Sequence, residues 1–515
     1  MTVHDCDVLV VGAGPTGLTL ALWLRRLGVD VCIVDAAASA GTSSRAFAVQ
    51  ARTLELHDQV GVAAEALARG VRIEALNMWA GGQSIARVPL RDVGAGLGPY
   101  PFVLALAQDD HERLLEEALR ATGTEVVRST AFRGLVPAAD HVLATFEGPD
   151  GVEAVSARFV CGCDGAHSAV REQIGVGFPG GTYERLFFVA DVTAKGPTSD
   201  GEVHVCLREE DFTLVFPVRL TGTRRLIGLV PERLVARGAD LRWEDVARSV
   251  MRDTHLDVSA VHWFATYHSH HRVADSFRLG RVFLLGDAAH IHSPAGGQGL
   301  NTGVGDAVNL AWKLAHVLHG RAPARLLDTY EPERIAFARR LVATTDRLFQ
   351  GAVSPSPLAR FVRFEVVPRL WPRLLRIESV RRAFFRLVSQ IGIEYHDSPL
   401  SEGVAGGVRG GDRLPWVRFH DGDFHWDNFE ELRTLDWQLH VYGEAGRVAA
   451  HCAERGVQSY EFPWTPEVER AGFERGAHYL VRPDGYVALA DARVEPLFRY
   501  LDRWIEARVP EHLAA

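Results

Sequence analysis

VLVVGAGPTGLTLALWLRRLGVDVCIVD, residues 8–35, is the stretch that decides the fold. Val8 to Val11 is a continuous apolar run suited to a strand buried on both faces, and it leads directly into Gly12-Ala13-Gly14-Pro15-Thr16-Gly17. That is GxGxxG in the place dinucleotide binding requires. Gly12 permits the tight turn, Gly14 lets the backbone approach a pyrophosphate, and Gly17 lets the helix pack closely on the strand. A helix with Leu18, Leu22 and Leu24 among its apolar positions follows, stops near Gly28, and gives way to a second strand ending at Asp35. An acid there meets the hydroxyls of an unphosphorylated adenosine ribose, so FAD or NAD is expected in this site rather than NADP.

The rest of the chain sets the scale. With 515 residues, 47% of them hydrophobic, it can bury a large core and should divide into two or three domains. A formal charge of -9 argues against a nucleic-acid binder. The N-terminus has acidic residues before its apolar run and no basic leader, so a cytoplasmic protein is expected. No apolar stretch reaches the roughly twenty residues of a membrane span, and no stable membrane association is expected. The arginine-punctuated segment 360–386 is the one membrane-like feature, and Pro368 and Pro372 are expected to break it as a long helix. The six cysteines show no CxxC pair or zinc spacing and should stay reduced, Cys161 and Cys163 in packing roles. Gly94 to Gly98 is glycine-rich but follows no strand, and reads as a loop. No second complete dinucleotide fold appears, so any nicotinamide cofactor must bind transiently.

Residues 280–320, GRVFLLGDAAHIHSPAGGQGLNTGVGDAVNLAWKLAHVLHG, again run from strand to loop to helix. Val282 to Leu285 is the strand, and Val304, Val308, Ala311, Ala315 and Leu318 form the helical stripe. Asp287 can accept hydrogen bonds from ribityl hydroxyls, and the amides of Gly299, Leu300 and Asn301 at a helix N-terminus can stabilise the negative charge of a reduced flavin. A metal site from Asp287, His290 and His292 is the alternative; it lacks a further ligand at suitable spacing, and no metal is expected.

Three separated motifs now resemble one family, the group A flavoprotein monooxygenases of the para-hydroxybenzoate hydroxylase and phenol hydroxylase type. They are Gly12 to Gly17, the Asp-Gly segment Cys163-Asp164-Gly165-Ala166-His167-Ser168-Ala169-Val170-Arg171, and Gly286-Asp287 with its tail Pro294 and Gly296-Gly297-Gln298-Gly299-Leu300-Asn301. The resemblance implies FAD as cofactor, with Arg45 and Gln108 as further contacts and Asp164 and Arg171 as candidates for FAD or NAD(P)H handling. Asp164 is read as acting largely through neighbouring backbone, and Arg52 is a weaker candidate. In that family NAD(P)H reduces the flavin, O2 adds at C4a, and the hydroperoxide hydroxylates an electron-rich aromatic ring. The chemistry is borne by the flavin, so no catalytic side chain is assigned.

The C-terminal phrase HYLVRPDGYVA (478–488), with RGGDRLP (409–415) at its entry, resembles the thioredoxin-like domain of phenol hydroxylase and of hydroxylases from aromatic polyketide biosynthesis. Cys452 is its only cysteine, so a dithiol cycle is excluded and packing or oligomer contacts, a homodimer among them, are left. The expected fold class is therefore α/β: a Rossmann-type FAD-binding domain (1–75, 101–180 and 276–350), an antiparallel-sheet substrate domain (76–100 and 181–275), a helical connection (351–398) and a thioredoxin-like domain (399–515). Trp79, Tyr183, His204 and Phe216 are the candidates for substrate contact, although each such residue is more often core or rim. The functional expectation is hydroxylation of a phenolic or polyketide-derived aromatic. Baeyer-Villiger oxygenation or epoxidation on the same scaffold, and a flavin- or polyketide-binding protein without turnover, are the alternatives. No GxSxG supports a hydrolase, and the WxWxIP expected of flavin halogenases is absent.

Overall fold

The computed structural model describes residues 3–41, 48–208, 211–218, 222–293, 297–353, 356–444 and 448–506. Its first sheet is built around the strand Val3–Val11, which pairs in parallel with Val31–Val34 on one side and Gly151–Gly162 on the other. Gly151–Gly162 pairs in parallel with Val282–Leu284 in turn. Val8, Leu9 and Val10 are wholly buried, as a central parallel strand requires. The helix Pro15–Arg26 crosses between the first two strands, with Leu18, Leu20, Leu22, Trp23 and Leu24 buried, each contributing about 1.5–3 kcal/mol of transfer free energy. It is apolar nearly all round because the helix Gly299–Leu318 covers its other side.

The second sheet has eight strands in the order His290–Ile291, Asp257–Val273, Gly180–Lys195, Thr223–Leu229, Phe212–Pro217, Val203–Leu207, Ala75–Ala80 and Gln83–Pro89. The expected strands near 203–207 and 213–218 are both present. One junction departs from the expected antiparallel pattern: Val203–Leu207 runs parallel to Ala75–Ala80, where the two chain segments forming the sheet meet. The third sheet is mixed, six-stranded, and thioredoxin-like. Gln438–Tyr442, the helix Val448–Glu454 and Gln458–Phe462 form a parallel crossover, followed by the antiparallel strands His478–Val481 and Val487–Asp491 and the helix Val494–Trp504.

The segment 360–386 is not one long helix, as expected, although the break does not fall at the prolines: Pro357–Phe361, a π turn at Val362–Val366 and Val367–Leu374 follow one another without a gap, and Glu378–Val388 begins after a turn. The wider turn lies where the carbonyl four residues before Pro368 would otherwise meet the proline ring. Cys161, within the strand Gly151–Gly162, and Cys163, one residue past it, are both buried, as packing roles require. No helix among the described residues is long and apolar enough to cross a membrane.

Candidate functional site

Register explains why three distant motifs meet. Val11 pairs with Val34 and Gly162, and Gly162 pairs with Leu284. The residues that follow, Gly12, Cys163-Asp164 and Leu285-Gly286-Asp287, therefore emerge side by side at the carboxyl edge of one sheet.

The glycine loop is shaped by close contacts. Gly12 has φ +102°, and a Cβ there would stand 2.4 Å from the Cys163 carbonyl oxygen; a Cβ at Gly17 would stand 1.9 Å from the Gly12 oxygen. At Gly14 a Cβ would meet nothing within 4 Å. That open ground lies at the start of Pro15–Arg26, a helix with no side-chain cap and no acid in its first turn. Its first amides have no intrahelical acceptors and face where a pyrophosphate would lie, so the residues present fit the ADP half of FAD. Asp35 braces the loop: its carboxylate accepts from the Ala13 amide at 2.6 Å and the Ala37 amide at 2.7 Å, leaving lone pairs for ribose hydroxyls. Thr16 fills the space left by two other glycines, since a Cβ at Gly286 or Gly303 would lie 2.6 or 2.2 Å from its hydroxyl.

The Asp-Gly segment acts through the backbone. Asp164 accepts from the Ser168 hydroxyl at 2.5 Å and the Val170 amide at 3.0 Å. Burial raises its carboxyl above the ordinary value, and these bonds oppose the shift. Arg171 donates to the carbonyls of Ala288 at 3.0 Å and Ala166 at 3.1 Å, tying this loop to the Gly286–Ala288 turn. Asn301 likewise positions chain: its side chain accepts from the Gln50 amide (2.8 Å) and Thr53 hydroxyl (2.7 Å), and donates to the carbonyls of Ala48 and Gly297. Only its backbone amide is left to act with those of Gly299 and Leu300 in the first turn of Gly299–Leu318. Gln108 opens the helix Gln108–Arg120 and donates to Glu112 at 2.8 Å. Arg45 and Pro294 lie outside the described residues.

These loops form one wall of a cavity of about 1410 Å³, which Gly14, Gln108, Gly165, Asp287, Gly299 and Leu300 line. That volume includes the space FAD would take, and so exceeds the roughly 300–1,000 Å³ of a site for one small molecule. The facing wall is the eight-stranded sheet. Strand alternation puts Val203, Val205 and Leu207 on the cavity side and His204 and Cys206 on the other. Phe216 lines the cavity, so one of the four substrate candidates is placed there. Trp79 and His204 are not: Trp79 donates to His204 Nδ1 at 3.0 Å on the far face, and His204 Nε2 pairs with Asp200 at 2.7 Å. Tyr183 donates its hydroxyl to Asp346 at 2.7 Å rather than lining the cavity.

The segment 5–345 matches the family model described as FAD binding domain. The chain belongs to this family. It is 34% identical to the 6-methylpretetramide 4-monooxygenase of Streptomyces rimosus, over 95% of this chain and 91% of the relative. Its structure matches the anhydrotetracycline hydroxylase OxyS of Streptomyces rimosus with a TM-score of 0.79 at 28% identity, covering 98% of this chain and 100% of that one. It also matches an aklavinone-11 hydroxylase solved with FAD and aklavinone, with a TM-score of 0.77 at 25% identity, covering 98% and 99%. The protein is an FAD-dependent monooxygenase, with NAD(P)H as co-substrate.

Several residues that shape the FAD wall were not singled out from the sequence. Asp306, wholly buried, accepts from the Gly286 amide (3.0 Å), His290 Nε2 (2.7 Å) and the Arg334 guanidinium (2.6 Å). Burial works to raise its carboxyl, but Arg334 and His290 outweigh this and hold it below the ordinary value. His290 is thus a brace for the Gly286–Asp287 turn. His292 sits apart from it, its Nδ1 donating to the Ser293 carbonyl at 2.7 Å, and burial pushes it down to about 4, so the ring is neutral near pH 7. Farther along the same helix, Lys313 and Asn309 reach Glu333, which also takes two bonds from Arg482 at 2.8 and 3.0 Å. Arg482 is held in turn by Asp484, whose carbonyl accepts from Arg52. The Arg482-Pro483-Asp484-Gly485 phrase docks the C-terminal sheet onto the FAD-binding core. The missed signal was visible: Asp306, Asn309, Lys313 and His316 recur at helical spacing within an otherwise apolar run.

Proposed function

We propose that this monooxygenase hydroxylates a large, polycyclic phenolic substrate of the aromatic-polyketide kind. The observation that carries the reading is a cavity of about 1410 Å³ that takes in the space of the flavin as well as that of the substrate, with the FAD-binding loops on one wall and an apolar sheet on the other. A fused ring system would cover the broad apolar face of Val203, Val205, Leu207, Leu214, Phe216 and Ile227 more fully than a single ring. The tetracycline-type and aklavinone substrates named for the similar proteins support the same class.

The redox chemistry, hydride acceptance from NAD(P)H and activation of O2, is supplied by FAD when bound. The chain's own residues prepare its surroundings. The first-turn amides of Gly299, Leu300 and Asn301 form a positive helix end that would stabilise negative charge on a reduced flavin bound there. Asp287 lines the same wall and can accept hydrogen bonds from ribityl hydroxyls. Val203, Val205 and Phe216 exclude water and hold the substrate's ring face by apolar contact. The balance is one substrate, O2 and NAD(P)H with a proton giving hydroxylated product, water and NAD(P)+.

The test is to incubate the FAD-loaded protein with a panel of polycyclic phenols and of single-ring phenols, following NAD(P)H oxidation and product mass. Stimulation by the polycyclic set, with one oxygen added as a ring hydroxyl, is expected. Turnover confined to single-ring phenols would overturn the reading, and an oxygen inserted into a ring would move it to Baeyer-Villiger chemistry.

A further inference from the structure

Among the described residues, three charged side chains are found along the cavity, divided between its walls: Asp287 on the FAD side, Arg347 and Arg363 on the helical side. Arg347 lies near the end of the helix Tyr330–Val353, and Arg363 in the π turn Val362–Val366. Around Arg363 the wall is apolar, with Leu358, Val362 and Val367 also facing the cavity. The chain continues into Val367–Leu374, which packs on the sheet strand Gln83–Pro89, so this turn is fixed to the substrate side of the molecule. Arg363 is half-buried, and Arg347 is more exposed. Burial lowers the Arg363 pKa, and the nearby Arg360 lowers it further. A guanidinium lining an otherwise apolar stretch of cavity wall presents a planar fork of donors that matches a carboxylate or similar anion on a ligand.

We infer that the cavity selects an aromatic substrate carrying an anionic group, a carboxylate or an ionised acidic enol, which Arg363 and Arg347 hold on the helical side while the ring system lies across the apolar sheet. The inference rests on the aromatic-substrate reading above and narrows it to acidic polycycles. It also gives the ring system a fixed end-to-end direction, since charge anchors one end. The phosphates of NAD(P)H are the other anions that could use these arginines, and the experiment separates the two.

The probes are an anthraquinone bearing a carboxylate and its neutral carboxamide twin, titrated into FAD-loaded protein and read by perturbation of the bound flavin's visible absorption. The carboxylate is expected to bind about tenfold more tightly, as a partly desolvated charge pair allows. In the variant Arg347→Gln/Arg363→Gln that preference should fall to near unity with flavin content unchanged, and Arg363→Lys should retain part of it. Equal binding of the two probes to the unaltered protein, or a preference that survives the double substitution, would overturn the inference while leaving the aromatic reading in place. A double variant that raises the KM for NAD(P)H and leaves the probe preference intact would reassign the arginines to the nicotinamide cofactor. If neither probe perturbs the flavin, the aromatic reading fails, and the inference with it.

Discussion

The two walls of the cavity are made in different ways. The FAD wall is largely backbone: turns at Gly12 and Gly286, uncapped helix ends, and carboxylates at Asp35 and Asp164 that hold amides in place. The sheet wall is side chains on alternate strand positions, where Val203 and Val205 face inward and His204 faces out. A backbone site tolerates few residue types, because each position has a conformation or a close contact that only one or two side chains satisfy. A side-chain site is defined by shape, and many apolar combinations give a similar shape.

The contrast is broken most severely at Gly12. Gly12→Ala places a methyl against the Cys163 carbonyl at a positive φ, and at least about a tenfold loss of bound flavin is expected from strain of ~1–3 kcal/mol plus the clash. The flavin-to-protein ratio after purification checks this. Asp306→Asn removes the charge that Arg334 and His290 share beneath the same wall, and a stability loss of about 3–5 kcal/mol is expected in denaturant unfolding. Acid should weaken the FAD side as well. His57 and His111 are buried with their Nε2 atoms 2.7 Å apart, and burial lowers both, His111 to about 4. Each has a folded pKa below its unfolded value of about 6.5, so the unfolded chain binds more protons and stability falls as pH drops from about 6.5 toward 4, by on the order of 1.4 kcal/mol per pH unit for each ring. A melting temperature unchanged across that interval would contradict the assignment.

Substitutions on the sheet wall should leave the flavin bound. Phe216→Ala is expected to raise the substrate KM by about tenfold through lost apolar contact, with flavin content intact. Trp79→Phe should do least, since that ring hydrogen-bonds His204 on the far face; about 0.5–1.5 kcal/mol of stability and no change in substrate KM are expected.

The same contrast decides what was legible in the sequence. Gly12 to Gly17, Asp164-Gly165 and Gly286-Asp287 could be read because their residue types are dictated by local backbone geometry. Their convergence could not, because it depends on which strands pair: Val11 with Gly162, and Gly162 with Leu284. Trp79 and His204 looked suitable for a substrate by residue type, but the register of their strands turns them away from it. Asp306 sat in a visible polar stripe, but its role did not, because its partners His290 and Arg334 lie 16 and 28 residues away, beyond any local pattern.

The helix Gly299–Leu318 ends on a practical point for anyone shortening this chain. Its first turn lines the cavity, while Trp312 packs against Trp437 and Lys313 shares Glu333 with Arg482, both partners belonging to the C-terminal sheet region. Truncation before residue 399 would open Trp312 to solvent and take from Glu333 its arginine partner, at the far end of the very rod whose tip lines the cavity. The last hundred-odd residues are better understood as a foundation than as an appendage.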